Sequence, residues 1–204
     1  GSILFPRGSI VDRTPEEMEK LPGLSNDIAG QRAQAKKMLE EAGVAGMKFT
    51  LTNRNLRQPW EPLGLFFLDQ WRKVGLEVDQ VALETPQYFA ALQGKNFDVS
   101  IDFNNTVSVD PNEVLVKFLP GSPNNYSGLQ DPKITEMFQA QIKASGEERT
   151  KIARQIEEYY LENAYLIPGF ESKRGVAHHK SMKGWLLPSS TVINLQLDTV
   201  WLDR

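Results

Sequence analysis

The chain has 204 residues, of which 40% are hydrophobic and 24% charged, with a net charge of −3 and no cysteine. This composition can build a packed core, excludes disulfides, thiolate metal sites and a cysteine nucleophile, and carries no basic footprint for nucleic acid. No apolar run approaches the roughly eighteen residues of a membrane span, and the first residues lack the basic and apolar regions of a secretory signal.

Residues 1–30 are rich in Pro and Gly and read as an irregular lead-in. They hold one short helix start at Thr14-Pro15-Glu16-Glu17, a capping box with proline at the first helical position. Next, Ala35, Met38, Leu39 and Ala42 fall at i, i+3, i+4 and i+7, which predicts a helix with one buried face, ended by a left-handed Gly43. Met47, Phe49 and Leu51 then alternate as a strand that ends at Thr52-Asn53-Arg54-Asn55. A helix follows with Leu63, Phe66, Phe67, Trp71 and Val74 inward, closed by Gly75.

Leu76–Leu83 reads as the second strand, Thr85-Pro86 opens a short helix that Gly94 can end, and Phe97–Phe103 reads as the third strand. In that third strand Phe97, Val99, Ile101 and Phe103 alternate with Asp98, Ser100 and Asp102, so apolar and polar side chains take opposite faces. The β-α-β-α-β order predicts an α/β fold with an open, parallel or mixed sheet flanked by helices. Phe49, Leu51, Val78, Val81, Val99 and Ile101 are expected in one sheet, covered by the helices that carry Phe66, Phe67 and Ile156.

Past the third strand, Asp110-Pro111-Asn112-Glu113 combines a capping aspartate, a first-turn proline and a box glutamate, and predicts a fresh helix. A long turn-rich loop follows at Pro120–Gly128. Two helices come next, one from Asp131-Pro132 burying Ile134, Met137, Phe138 and Ile142. The other starts at Ser145 with Glu148 as box partner and buries Ile152, Ile156 and Tyr160; together they predict a helical hairpin. From Tyr165 onward the pattern is short-stranded and irregular, at Leu166–Pro168, Arg174–Ala177, Gly184–Pro188 and Leu197–Leu202.

Ligands of open α/β sheets sit beyond the carboxyl ends of the strands. Two such ends gather Asn53, Arg54, Asn104, Asn105, Thr106 and Ser108, which supply many donors and acceptors and little catalytic power, the chemistry of binding. The competing reading is a small α/β hydrolase that uses Asp98, Asp102 or Asp110, although the neighbours of Asp110 favour a capping role. His178 and His179 are adjacent and lack a third ligand at metal spacing, so no metal site or cofactor is expected.

The segment Arg32–Gly43, RAQAKKMLEEAG, resembles the A-K-x-L-L-x-E-A-G signature of the family 5 solute-binding proteins of ABC importers. Leu68–Val78 is similar to that family's Q-L-x-x-I-G-I-x-V helix and strand, and Phe97-Asp98-Val99 to its y-D-v strand. Asn125–Leu129 with Asp131–Ile134 resembles N-x-s-g-y-x-n-P-x-v-D, and Arg149–Pro168 resembles R-x-x-x-y-x-x-x-q-x-i-l-x-e-x-x-p-x-i-P. The resemblance implies a periplasmic-binding-protein-like II lobe, with no enzymatic activity, in a receptor whose two lobes close on a solute. It implies that residues 31–183 form the second, ligand-binding lobe, preceded by a hinge-region lead-in, and that 184–204 return to an N-terminal lobe missing from this fragment. The partners implied are a small-molecule or peptide-like solute and the importer's membrane subunits. The location implied is periplasmic or extracytoplasmic, membrane-associated if lipid-anchored, with the signal outside this chain.

The ligand contacts expected in this lobe are Asn53, Arg54, Asn104, Asn105, Thr106, Val107, Ser108 and Tyr126. One departure from the family pattern matters. Peptide-binding members have an aspartate four residues before the proline of D-x-x-D/E-P, which pairs with the ligand's amino terminus; here that position is Val107. A valine cannot neutralise an ammonium, and a buried unpaired charge is costly. A polar or anionic solute, such as a saccharide or modified amino acid, is therefore expected over an ordinary peptide. The tryptophan usual at the end of that strand is also absent, with Asn104 near its place.

Overall fold

Two compact units, whose segments alternate along the sequence, make up the computed structural model, which describes residues 2–5, 7–104, 108–171, 177–185 and 197–203. The expected strands over Arg174–Val176 and Leu186–Pro188, and the expected ligand contacts Asn105, Thr106 and Val107, lie outside the described residues. One unit comprises residues 15–103 and 118–132, the other 1–14, 104–117 and 133–204.

The unit built on residues 15–103 is the α/β part. Its elements are α1 (Pro15–Met18), α2 (Ile28–Glu41), β1 (Lys48–Arg54), α3 (Trp60–Lys73), β2 (Glu77–Leu83), α4 (Thr85–Gln93) and β3 (Val99–Ser100). The sheet order is β2-β1-β3 and both pairings are parallel, with Phe49 opposite Val78, Thr52 opposite Val81 and Leu51 opposite Val99. Each crossover runs through a helix, as parallel neighbours require. Leu51, Thr52 and Asn53 of β1 are buried in succession, the mark of a central strand covered on both faces.

The third strand is shorter than its alternating pattern suggests. Its ladder spans Val99–Ser100 only, because the Asp98 carboxylate accepts the Thr50 N–H at 2.9 Å where a strand carbonyl would otherwise serve. Ile101 N–H still reaches the Thr52 carbonyl at 3.4 Å, and Ile101 is buried while Asp102 is exposed, so the predicted faces hold.

The core of this unit is Leu51, Trp60, Leu68, Val78, Tyr88, Leu92 and Ile101, with Phe49, Phe67, Trp71, Val99, Phe103 and Tyr126 packed around it. Two residues expected inside are not. Val81 is 39% and Phe66 44% exposed. β2 is an edge strand whose second face lacks cover among the described residues, and α3 turns Trp60, Gly64 and Leu68, spaced i, i+4 and i+8, toward the sheet. Leu63, Phe67 and Trp71 flank that stripe: Phe67 stacks on Trp71, and Trp71 meets Phe49 edge-on at 5.1 Å.

The α2 helix forms as expected but buries no residue, with Met38 60% exposed, so its expected buried face is corrected. Ala35 and Leu39 of that stripe are half-buried, and Met38 and Ala42 are exposed. Met47, 44% exposed, precedes β1 and is not part of it. Gly43 and Gly75 end their helices at φ +69° and +95°, whereas after α4 the left-handed residue is Lys95 and not Gly94.

In the other unit, α5 (Pro111–Leu115) runs into a 3₁₀ turn, and α6 (Pro132–Lys143) and α7 (Gly146–Glu162) form the hairpin. α6 buries Ile134, Phe138 and Gln141; the last turn places Gln141 inward and leaves Ile142 47% exposed, against expectation. α7 buries Ala153, Ile156, Glu157 and Tyr160, and the expected Ser145–Glu148 box does not form, since the Ser145 side chain makes no cap bond. The lead-in is irregular yet structural: Leu4, Phe5 and Val11 are buried, and the N–H groups of Ile3 and Leu4 donate to the Glu157 carboxylate at 2.7 and 2.9 Å. Near the chain end β4 (Met182–Lys183) pairs antiparallel with β5 (Trp201–Leu202), whose two side chains are each 56% exposed; Leu166–Pro168 forms no strand.

Candidate functional site

The carboxyl end of β1 delivers Asn53 and Arg54 beyond the sheet, and their fates differ. Asn53 is 1% exposed; its amide donates to the Trp60 carbonyl at 2.8 Å and accepts the Arg54 N–H at 2.8 Å. A buried amide so occupied braces β1 against α3 and has little left for a ligand.

Arg54 is half-buried and held on three sides. Its Nε donates to Thr85 Oγ1 at 2.9 Å, and its guanidinium lies 5.5 Å from the Trp60 ring centroid and 5.4 Å from that of Phe89. Trp60 in turn meets Phe103 edge-on at 4.8 Å and Tyr88 at 5.5 Å. The aromatic faces attract the cation through their quadrupoles and immobilise it. With Nε engaged, the terminal amino groups form the free edge of a planar fork, and Arg54 has no ion-pair partner among the described residues. Such a fork matches a carboxylate bidentately. Trp60, Thr85 and Phe89 carried no expectation of a site role; the only sequence signal is that Thr85 and Phe89 stand four apart on the helix following β2, on one face.

Tyr126 rests half-buried against the same core, its hydroxyl 3.4 Å from Asn124 Oδ1. Burial, aided by Asp102, raises its pKa, so the phenol stays a neutral donor. The Tyr88 hydroxyl donates to the Ile101 carbonyl, and burial with the Asp102 charge drives its pKa far above the ordinary range. The loop that carries Tyr126 is shaped by buried Asn125, whose amide donates to the Leu119 and Leu129 carbonyls at 3.2 and 2.8 Å and accepts the Leu129 N–H.

Asn104 and Ser108 belong to the other unit. Asn104 is exposed and its Oδ1 accepts Lys117 Nζ at 2.9 Å, which leaves its NH₂ as the outward group. Ser108 N–H donates to Glu113 at 2.7 Å, and its hydroxyl accepts the Asp110 N–H at 2.9 Å. Asp110 caps α5 through the Asn112 N–H at 2.8 Å and pairs with Arg149 at 2.7 Å; the Arg149 bond is the main reason its pKa is lowered, against the opposing effect of burial.

The three acids of the hydrolase reading are thus spoken for. Asp98 completes the sheet edge, Asp102 accepts its neighbour Phe103's N–H at 2.8 Å, and Asp110 is a cap. His178 and His179 sit in a turn, bonded to the His179 carbonyl and the Ser181 hydroxyl, and no metal-binding cluster exists among the described residues. A shallow cavity of about 730 Å³ lies along the outer face of α7, lined by Ile10, Glu147, Thr150, Lys151 and Arg154. It contains none of the expected site residues and mixes both charges, so it has the character of a solvated groove.

The model for the bacterial extracellular solute-binding proteins, family 5 (middle region), matches residues 12–126. No curated protein matches at the level of sequence. Among solved structures, the chain is similar to OppA of Burkholderia pseudomallei, with a TM-score of 0.79 at 19% identity over 98% of this chain and 39% of that one. It is similar to OppA of Haemophilus influenzae in complex with RPPGFSPFR, with a TM-score of 0.75 at 18% identity, covering 93% and 38%. The periplasmic murein tripeptide binding protein MppA gives 0.73 at 19%, covering 97% and 38%. The chain therefore shares their fold and spans well under half of the length of each.

Proposed function

The chain belongs to the bacterial extracellular solute-binding proteins of family 5, and from that premise we propose that it supplies one wall of a cleft that captures a peptide-like or other polar solute and passes it to the membrane subunits of an ABC importer. Capture is non-covalent and takes place outside the cytoplasm. Residues 31–183 serve as the ligand lobe and the tail from 184 reaches a second lobe, a role that suits the exposed apolar side chains of Trp201 and Leu202. Closure of the two lobes would follow from contacts the solute makes only in the closed form.

The observation that carries this reading is Arg54, a cation fixed over Trp60 and Phe89 with its fork unspent. A solute that presents a carboxylate there gains a charge-assisted bidentate bond, while Tyr126 adds a neutral donor and an apolar face. Asn104 and Ser108 are further proposed contacts, Asn104 through its NH₂. Val107, at the position where the family pattern has an aspartate, offers nothing to an ammonium. A free amino terminus is therefore dispensable, and acylated peptides, sugar acids or modified amino acids fit better than ordinary peptides, whose ammonium would lack a partner there.

The test is calorimetry of the intact receptor against tri- to pentapeptides made as free acids, C-terminal amides and N-acetylated acids. Free acids should bind and amides should bind weakly, with N-acetylation costing little. Arg54→Gln should weaken the acids about tenfold to a hundredfold and leave the amides unchanged. Equal binding of acids and amides, indifferent to Arg54→Gln, would refute the assignment.

A further inference from the structure

Gln141 is a polar side chain with 0% exposure on the inward stripe of α6, where Ile134 and Phe138 precede it. An apolar residue would be expected there, since burying an amide costs free energy unless all its bonds are made. Both ends of this amide have a partner, and both partners lead to the same turn of α5. Gln141 Nε2 donates to the Asn112 side chain in the first turn of α5, and its Oε1 accepts Arg149 Nε at 3.2 Å. Arg149 sends its other arm to Asp110 at 2.7 Å, the cap of the same turn. Asp110 N–H and Glu113 then hold the two sides of Ser108, and Lys117 at the far end of this segment holds Asn104. The buried Gln141 of α6 and the partly buried Arg149 of α7 thus lead, through α5, to Ser108 and Asn104.

Resting on the reading that Asn104 and Ser108 contact the solute, we propose that Gln141 and Arg149 are positioning residues for those two groups, acting through Asp110 and Asn112. They touch no solute. Their work is to fix where the Asn104 NH₂ and the Ser108 main chain stand before the solute arrives, so that less ordering is left for the binding step.

A double-mutant cycle on the intact receptor tests this, with the same free-acid peptides as probe and thermal unfolding recorded for every variant. Asn104→Ala alone and Gln141→Leu alone should each weaken binding about tenfold, and the double variant should stay near tenfold instead of reaching a hundredfold, because positioning is worthless without the group positioned. Gln141→Leu should shift the unfolding midpoint by only a few degrees, since the leucine fills the same space. Arg149→Lys keeps the charge beside Asp110 and loses the bond to Gln141, so it should fall between wild type and Arg149→Gln. It also serves as the second probe if Gln141→Leu does not fold. Additive losses, or a lower midpoint with unchanged affinity, would overturn the proposal. Failure of the wild type to bind any probe would instead sink the solute reading beneath it.

Discussion

Glu157 is the residue on which the 1–14 segment turns. It is 0% exposed, and such a charge persists only because donors surround it: Ser2 Oγ, the Ile3 and Leu4 N–H groups and the Arg13 guanidinium, itself 3% exposed. Arg13 also reaches Glu158 at 2.9 Å. Removing one partner strands the other, so Arg13→Met should cost about 3–5 kcal/mol of unfolding free energy, whereas Arg13→Met with Glu157→Leu should cost much less. Urea denaturation of the three proteins measures the difference. Asp110 makes a smaller, pH-dependent contribution. Its folded pKa lies below the ordinary 3.8, so its stabilisation is present above that value and fades as pH falls through the lowered one. With the Asp110 side chain 43% exposed the term is screened, below about 1 kcal/mol. The acid limb of the stability curve should flatten in Asp110→Asn and, less fully, in Arg149→Gln. The two residues differed in legibility. Asp110 stands in a local D-P-N-E pattern that announces a cap, while Glu157 meets a partner 144 positions away and no local pattern reports that.

At the scale of elements, the fold rests on how closely α3 approaches the sheet. A methyl group at Gly64 would collide with the Gln80 and Asn53 side chains, and Asn53 is buried and bonded. Gly64→Ala should therefore cost about 1–3 kcal/mol, read from the chemical denaturation midpoint. Alternation disclosed β1, the 3.6-residue period disclosed α2 and α3, and the Thr85-Pro86 start before Gly94 disclosed α4. They did not disclose which way α3 is rotated, since Leu63, Phe66, Phe67, Trp71 and Val74 form as good a stripe on paper as Trp60, Gly64 and Leu68 do in the fold. A glycine carries no hydrophobic signal, so the contact that sets the helix's rotation was silent in the sequence. β3 ends early for a related reason: the acceptor for Thr50 N–H is the side chain of Asp98, and alternation counts only faces.

For the molecule as a whole, the family was legible because its motifs recur in order along the chain, and the same order produces the β2-β1-β3 sheet with its flanking helices. The candidate site's surroundings were legible only in part. Arg54 was expected from its place at a strand end, yet what makes it suitable for an anion is the bed of Trp60 and Phe89, brought together from 6 and 35 positions away by the turn and the crossover. Asn53, its neighbour, looked equally available and proved committed to the fold. Whether Arg54 receives a carboxylate of the proposed solute is read from a crystal structure of the intact receptor grown with a free-acid peptide or sugar acid that it binds. Both carboxylate oxygens should lie on the terminal nitrogens of Arg54 at about 2.7–2.9 Å, with the guanidinium still lying on Trp60 and Phe89. A bound solute whose acidic group points elsewhere, with the Arg54 fork facing water, would contradict the assignment.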